Sequence, residues 1–259
     1  VDGVKIVVLV KHVPDPEEPA HLVGDGWRLD RSAGTLSEID ARALAIAADI
    51  RAEGDTVTAL TMGAQGATTS LRRALAAGAD DAVHVTDDAL AGADSLATAR
   101  VLAAAASHLG ADLVLSGNTA SDGMGGVVPA MIAEILALPH LTHIEDVRRE
   151  GDRLTGRRVS GPVSRSVSAP FPLVASVVEQ AGEPLIPNFA GMKAARSKPI
   201  ETLSLADFAA PEIPGAAWSV TLAEPTATRE RAELIDDVDE AVGRIVDLLA
   251  GAGVIGGAR

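Results

Sequence analysis

The stretch Asp112–Leu138, DLVLSGNTASDGMGGVVPAMIAEILAL, decides the fold. It opens with a short apolar run, Leu113 to Leu115, of the kind that forms a fully buried strand. A polar loop carrying Gly117, Gly123, Gly125 and Gly126 follows, and then a segment of helix-like composition from about Gly126 to Leu138. A strand, a glycine loop and a helix in that order aim backbone N–H groups and the positive end of a helix dipole at a phosphate. An ordinary βα turn in a parallel sheet has the same make-up, so these residues alone leave both readings open.

Upstream, Val4 to Val10 is continuous and β-branched and reads as a buried parallel strand. It stops at Lys11-His12-Val13-Pro14-Asp15-Pro16, where two prolines force a loop. Lys11 and Asp15 therefore stand at the carboxyl end of the first strand, the edge where open α/β sheets bind ligands; a solvated loop pair is the alternative. Gly24-Asp25-Gly26 suggests a tight hairpin, with Trp27 to Arg31 returning from it. A helix is expected from about Ser37 to Glu53, with Ser37 as cap and Asp40 in capping-box position. Strands at Thr56 to Thr61 and Ala82 to Val85, and helices at about Ala67 to Ala77 and from Asp94 to about Leu109, complete a β-α-β-α-β-α-β-α order. That order implies an α/β fold with a doubly wound, mostly parallel, Rossmann-like sheet.

Beyond Pro139 the character changes. Glu145 to Ser168 holds six arginines around turn signals at Gly151-Asp152 and Gly161-Pro162, and reads as an antiparallel hairpin. Its charges suit either a protected sheet edge or an acidic partner. His140 and His143 fall in the connection before it, a poor metal pair. Another buried strand follows at Phe171 to Val178. Pro184 to Pro199 reads as an irregular loop, about Ala209 to Arg229 as an extended arm, and Ile235 to Leu249 as an amphipathic helix.

Composition narrows the function. With 259 residues the chain can bury a large core. A net charge of −14 argues against nucleic acid or an anionic membrane as the main partner, and two Trp, three Phe and no Tyr make a poor base-stacking surface. The absence of Cys excludes disulfides, thiolate metal sites, iron–sulfur clusters and Cys nucleophiles. No apolar run is long enough to span a bilayer, and the first residues enter a strand without a signal peptide. A cytoplasmic protein without direct membrane insertion is the expectation. The usual nucleotide, hydrolase and zinc motifs are missing, so no catalytic side chain and no metal ligand is assigned, and the chain reads as a binder.

Four motifs, in order, resemble one family: the β subunit of electron transfer flavoproteins, with its relatives in the nitrogen-fixation and carnitine systems. The first is Val10-Lys11 with Pro14-Asp15. The second is Leu71-Arg72-Arg73-Ala74-Leu75-Ala76-Ala77-Gly78-Ala79-Asp80, close to the family's L-R-x-A-L-A-x-G-A-D. The third is the loop with Gly117, Asp122-Gly123, Gly125, Val127, Pro129 and Ala133-Glu134. The fourth runs from Glu183-Pro184 through Pro187-Asn188-Phe189 and Met192-Lys193 to Lys198-Pro199-Ile200.

The resemblance implies an electron carrier whose redox chemistry belongs to a flavin. This subunit would pair with an α subunit, share its FAD, and hold AMP or a second FAD of its own. Electrons would arrive from acyl-CoA or other flavin-dependent dehydrogenases and leave to a quinone reductase or another acceptor. By position, Gly117, Asp122, Gly123, Met124, Gly125, Gly126 and Val127 would line the phosphate, with Lys11 and Asp15 at the same edge. Val8, Val10 and the Met62-Gly63 turn would flank the adenosine. The segment of about 183–200 would be a recognition loop, with Pro187, Phe189 and Met192 meeting the dehydrogenase. Residues 1–205 would form the nucleotide-binding domain, with the hairpin at about 145–168. Residues 206–259 would be an arm and helix packing on the partner subunit.

Departures from the family's pattern mark a divergent paralogue. The nucleotide loop is one residue short, and Gly126 stands in place of a Gln. Leu185-Ile186 replaces Arg-Tyr, the Lys run is diluted, and Ser37 and Ala45 replace a usual Asn and Glu. Two other readings fit the residues: a stand-alone adenine-nucleotide-binding protein of the stress type, and a structural β subunit without a nucleotide.

Overall fold

The computed structural model describes residues 3–24, 28–208, 220–224 and 234–256. The chain divides into two units, 1–221 and 222–259.

The first unit is built on one nine-stranded sheet. Its strands are β1 (Lys5–Leu9), β2 (Thr56–Met62), β3 (Asp81–Val85), β4 (Leu113–Gly117), β5 (His140–Glu150), β6 (Arg153–Ser160), β7 (Val163–Pro170), β8 (Leu173–Val177) and β9 (Glu201–Leu203), in spatial order β7-β6-β5-β8-β4-β1-β2-β3-β9. Every pair from β5 to β9 across the centre is parallel, while β5-β6 and β6-β7 are antiparallel. The doubly wound α/β architecture expected from the sequence is therefore present.

Continuous Val/Ile/Leu runs form the central strands because both faces are covered. On one face Ile6, Val8 and Val10 pack with Leu44 and Ala47 of α1 (Glu38–Ile50) and Leu71 and Leu75 of α2 (Thr68–Ala76). On the other, Val7 and Leu9 pack with Val101 and Leu102 of α3 (Ser95–His108) and Ile132 and Ala133 of α4 (Val128–Leu136). Alanine is abundant in α3 because small side chains let a helix lie close to the sheet and to α4. Asp94 caps α3 by accepting from the Ala97 N–H at 2.9 Å. Asp55 is a second fastening, its carboxylate accepting from the N–H groups of Val4 and Ala52 and from Arg149.

Three local expectations are corrected. The capping box at Ser37 is not formed: Ser37 makes no side-chain cap bond. The antiparallel part is a three-strand meander from His140 to Pro170, wider than a hairpin at 145–168, and His140 and His143 lie within β5 rather than in a connection. Positive φ at His143 (58°) and Asp146 (52°) breaks the alternation there, so Leu141, Ile144 and Val147 face inward at a spacing of three. That spacing conceals the strand from a period-two reading. Many of the basic side chains are also committed internally. Arg157 pairs with Glu145 and Asp146, Arg149 meets Asp55 and lies over the Phe171 ring, and Arg158 donates to the Thr142 carbonyl.

The third correction concerns Pro184 to Pro199, expected as an irregular loop. Phe189–Ser197 forms a helix, α5, capped by Asn188, whose Oδ1 accepts from the Gly191 N–H at 2.7 Å. Prolines at 184, 187 and 199 leave room between them for these residues, and the helix docks on α2. Arg72 donates to the carbonyls of Ala195 and Lys198, and Lys198 Nζ to that of Ala79 at 2.7 Å. Gly191 is needed there, since a Cβ would stand 2.8 Å from the Ala76 oxygen.

In the second unit, α6 (Val238–Gly251) is capped by Asp237, which accepts from the Glu240 N–H. Val238, Val242, Ile245, Val246 and Leu248 are exposed on it. Most of the arm expected at about 209–229 lies outside the described residues, as does the Asp25–Trp27 tip of the first hairpin; the flanks of that hairpin, Leu22–Val23 and Arg28–Leu29, pair as expected. Among the described residues no helix is long and apolar enough to cross a membrane.

Candidate functional site

The chain leaves β1 for β2 on one side and later returns to β4 on the other. Between β1 and β4 the winding direction reverses, and at such a switch point the connections diverge and open a crevice beyond the carboxyl ends of the strands. Lys11 follows β1 into that crevice, and the loop from Asn118 to Val127 follows β4.

A buried carboxylate ties the two strand ends together. Asp40, in the first turn of α1, accepts from the Gly117 N–H through Oδ1 and from the Lys11 N–H through Oδ2, both at 2.9 Å. Burial dominates its titration and pushes its pKa up to about 6, against the pull of the Gly117 and Lys11 N–H bonds. Gly117 permits this approach: a Cβ there would lie 2.7 Å from both Asp40 Oδ1 and Ile39 Cγ2. The Gly117 N–H is thereby consumed, so its part in the crevice is to admit α1, not to donate to a phosphate.

At the mouth stands an ion triad. The Asp122 carboxylate, 2% exposed, accepts from Lys11 Nζ at 2.7 Å through Oδ1 and from Arg31 through Oδ2, with Nε at 3.0 Å and Nη2 on the same oxygen. Burial raises the Asp122 pKa, but the hydrogen bonds and charges of Lys11 and Arg31 outweigh it and hold the carboxyl below its usual range. Arg31 is fixed in turn through its carbonyl, bonded at 3.0 Å to His12 Nε2, while His12 Nδ1 meets Ser70 Oγ at 2.8 Å. Burial lowers the His12 pKa, and the Arg31 and Arg73 charges act in the same direction.

The remaining expected residues divide. Gly123, Met124, Gly125 and Val127 are exposed along the loop, with Met124 at φ 48° and Gly126 at φ 64°. A Cβ on Gly125 would have only atoms at 4.0 Å for neighbours, so the backbone there lies open to a ligand. Asn118 Oδ1 and Thr119 Oγ1 are buried at the root of the loop without a hydrogen-bond partner among the described residues. Val8 and Val10, by contrast, point into the α1/α2 core, so neither side chain reaches a ligand. Met62 is half-buried, and the Gly63 carbonyl accepts from His84 Nε2 at 2.9 Å. Asp15 is engaged in its own turn, its carboxylate accepting from the Glu17 N–H at 3.0 Å and its backbone carbonyl from the Glu18 N–H at 3.1 Å.

The sequence places Asp40 only at a helix start and Arg31 only on a returning hairpin strand, neither of them in a ligand site. Neither carries a local sign of its partner: the backbone that Asp40 bonds in β4 is 77 residues away, and the Asp122 carboxylate that Arg31 meets is 91 residues away.

The expected partner-facing residues are in α5 and just before it. Phe189 is 80% exposed and Ile186 91%, with Met192 also exposed and Pro187 half-buried beside a shallow groove lined by Ala76, Gly78, Ala190 and Ala194. Phe189 is therefore a surface side chain and takes no part in the core.

Residues 26–208 match the Electron transfer flavoprotein domain family. Electron transfer flavoprotein subunit beta of Mycobacterium tuberculosis is 38% identical over 263 residues, covering 96% of this chain and 99% of its own length. The protein of the same name from Thermoanaerobacterium thermosaccharolyticum is 31% identical at the same coverage. That from Megasphaera elsdenii is 33% identical over 80% of each chain.

Proposed function

We propose, because this chain belongs to the electron transfer flavoprotein family, that it serves as the β subunit of a heterodimeric carrier. In this reading it passes electrons from flavin-dependent dehydrogenases to a quinone reductase or another acceptor, in the cytoplasm. Similarity over nearly the whole length of relatives named subunit beta carries the reading. FAD, shared with an α subunit, supplies the redox chemistry. This chain supplies binding and shape, together with a nucleotide of its own, AMP or a second FAD, in the switch crevice.

The residues suit a nucleotide. Two half-exposed cations converge beside an open glycine backbone, and two buried side-chain oxygens await donors at its root. Lys11, Arg31 and the Gly123–Val127 backbone would hold phosphate, and Asn118 and Thr119 would accept from ligand hydroxyl or amino groups. Residues 206–259 would pack on the α subunit, and α5 would meet the dehydrogenase through Phe189, with Pro187 and Met192 around it.

The test is mass spectrometry of the small molecules released from the natively purified protein and whatever accompanies it. FAD and AMP in equal amounts, with a second polypeptide, are expected. Two FAD per heterodimer without AMP would assign the second site to flavin. A lone chain carrying AMP or ATP and no flavin would overturn the carrier reading.

A further inference from the structure

Thr61 of β2 and His84 of β3 stand directly across from each other in the parallel ladder, 1% and 0% exposed. They share the face that α2 covers, where Ala59 and Ala82, two residues before each, join the core with Leu71 and Leu75. His84 Nε2 meets the Gly63 carbonyl at 2.9 Å, and the Gly63 N–H donates to the Val85 carbonyl at 3.1 Å. The turn after β2 is thus fastened to β3 through both polar groups of one residue. A carbonyl only accepts, so Nε2 carries the hydrogen, and Nδ1 of the neutral ring is left with a lone pair. Neither that Nδ1 nor Thr61 Oγ1 has a hydrogen-bond partner among the described residues. Two bare polar atoms on one buried face are rare, and they call for a third group between them.

We propose that Thr61 and His84 enclose a site for one water molecule, which donates to Nδ1 and accepts from the Thr61 hydroxyl, and that His84 is thereby the positioning residue of the Met62-Gly63 turn. Neighbouring strands run about 4.8 Å apart, so side chains at paired positions can share a water. A buried water with two or more polar partners is a lasting part of a structure. Its bond to Nδ1 selects the tautomer whose Nε2–H holds the Gly63 carbonyl. The same turn borders the crevice: a Cβ on Gly66 would stand 3.8 Å from His12 Nε2, beside the end of β1. The positioning role rests on the nucleotide reading above and deepens it. A turn pinned by His84 gives the adenosine a wall that needs no ordering when the ligand binds. His84 itself touches no ligand and acts through Gly63.

Diffraction from crystals of the full chain with whatever accompanies it, and nitrogen NMR of its imidazoles, test the site. A water bonded to both Thr61 Oγ1 and His84 Nδ1, with the ring hydrogen on Nε2, is expected. A dry site, or a hydrogen on Nδ1, overturns the inference whatever the chain binds. Calorimetric titration with adenosine and AMP tests the use of the turn. His84→Leu, which removes the donor to Gly63, should weaken both ligands about tenfold, because the turn lies at the adenosine and not at the phosphate. His84→Gln, whose amide N–H can reach the same carbonyl, should recover most of that loss. Thr61→Val should remove the water from the map and weaken both ligands severalfold. Wild-type affinity in His84→Leu, or equal losses in His84→Leu and His84→Gln, overturns the positioning role while leaving nucleotide binding intact. A wild type that holds the water yet binds neither ligand overturns the nucleotide reading, and the positioning role with it, but not the water site.

Discussion

Asp40 shows how much one side chain can hold. It replaces ladder hydrogen bonds that β1 and β4 cannot make where they diverge, and it does so as a buried carboxylate. Its native pKa of about 6 lies above the ordinary aspartate value of 3.8, so the folded chain binds the proton more tightly. Its favourable contribution is therefore complete below about pH 4 and is lost as pH rises through about 6. Asp40→Asn should abolish that slope. Urea midpoints taken from pH 4 to 7 should show the wild type losing on the order of 2 kcal/mol relative to the variant. Parallel curves would refute the assignment. Gly117→Ala, which sets a methyl against Asp40 and Ile39, should cost about 2 kcal/mol at any pH, read as a lowered urea midpoint. Neither role was legible in the sequence. Gly117 looked like a phosphate-loop glycine, and Asp40 like the far half of a capping box, because a side chain that bonds backbone seventy-seven residues away leaves no local pattern.

At the scale of elements, legibility followed hydrophobic periodicity. The buried strands and α1 to α4 could be read from runs and spacings; β5 could not, because two left-handed residues reset its alternation, and α5 was hidden between prolines. The helical form of α5 matters for its proposed use. A helix anchored to α2 by Arg72 and Lys198 presents Phe189 from a fixed base, which lowers the ordering cost of docking. Phe189→Ala should slow electron transfer from a dehydrogenase while leaving flavin content and the melting temperature unchanged, since an exposed ring adds little to folding. Stopped-flow flavin reduction measures it; an unaltered rate with every dehydrogenase tried would sink the docking role. Asn188→Ala, which removes the cap, should weaken the same contact and cost about 1 kcal/mol of stability.

For the whole molecule, the order of strands mattered more than any motif. The alternation of elements foretold a doubly wound sheet, and the reversal between β1 and β4 then dictated where Lys11 and the glycine loop would converge. The fold was in this sense written in the sequence, while the charges that furnish its crevice were not. The unit from 222 to 259 carries a helix with five exposed aliphatic side chains, a composition suited to another subunit. A chain ending at Thr221 should keep the melting temperature of the full chain yet fail to co-purify the second polypeptide; co-purification at full yield would assign the contact elsewhere.

The Lys11–Asp122–Arg31 triad also bears on heredity. Its members come from three distant stretches of chain, and removing one strands the others: without Asp122 two like charges face each other, and without both cations a carboxylate is left buried and bare. Replacements at these positions should therefore travel as a set among natural variants, charge gained at one offset at another, and a lineage that lost the carboxylate alone should show compensating change at position 11 or 31.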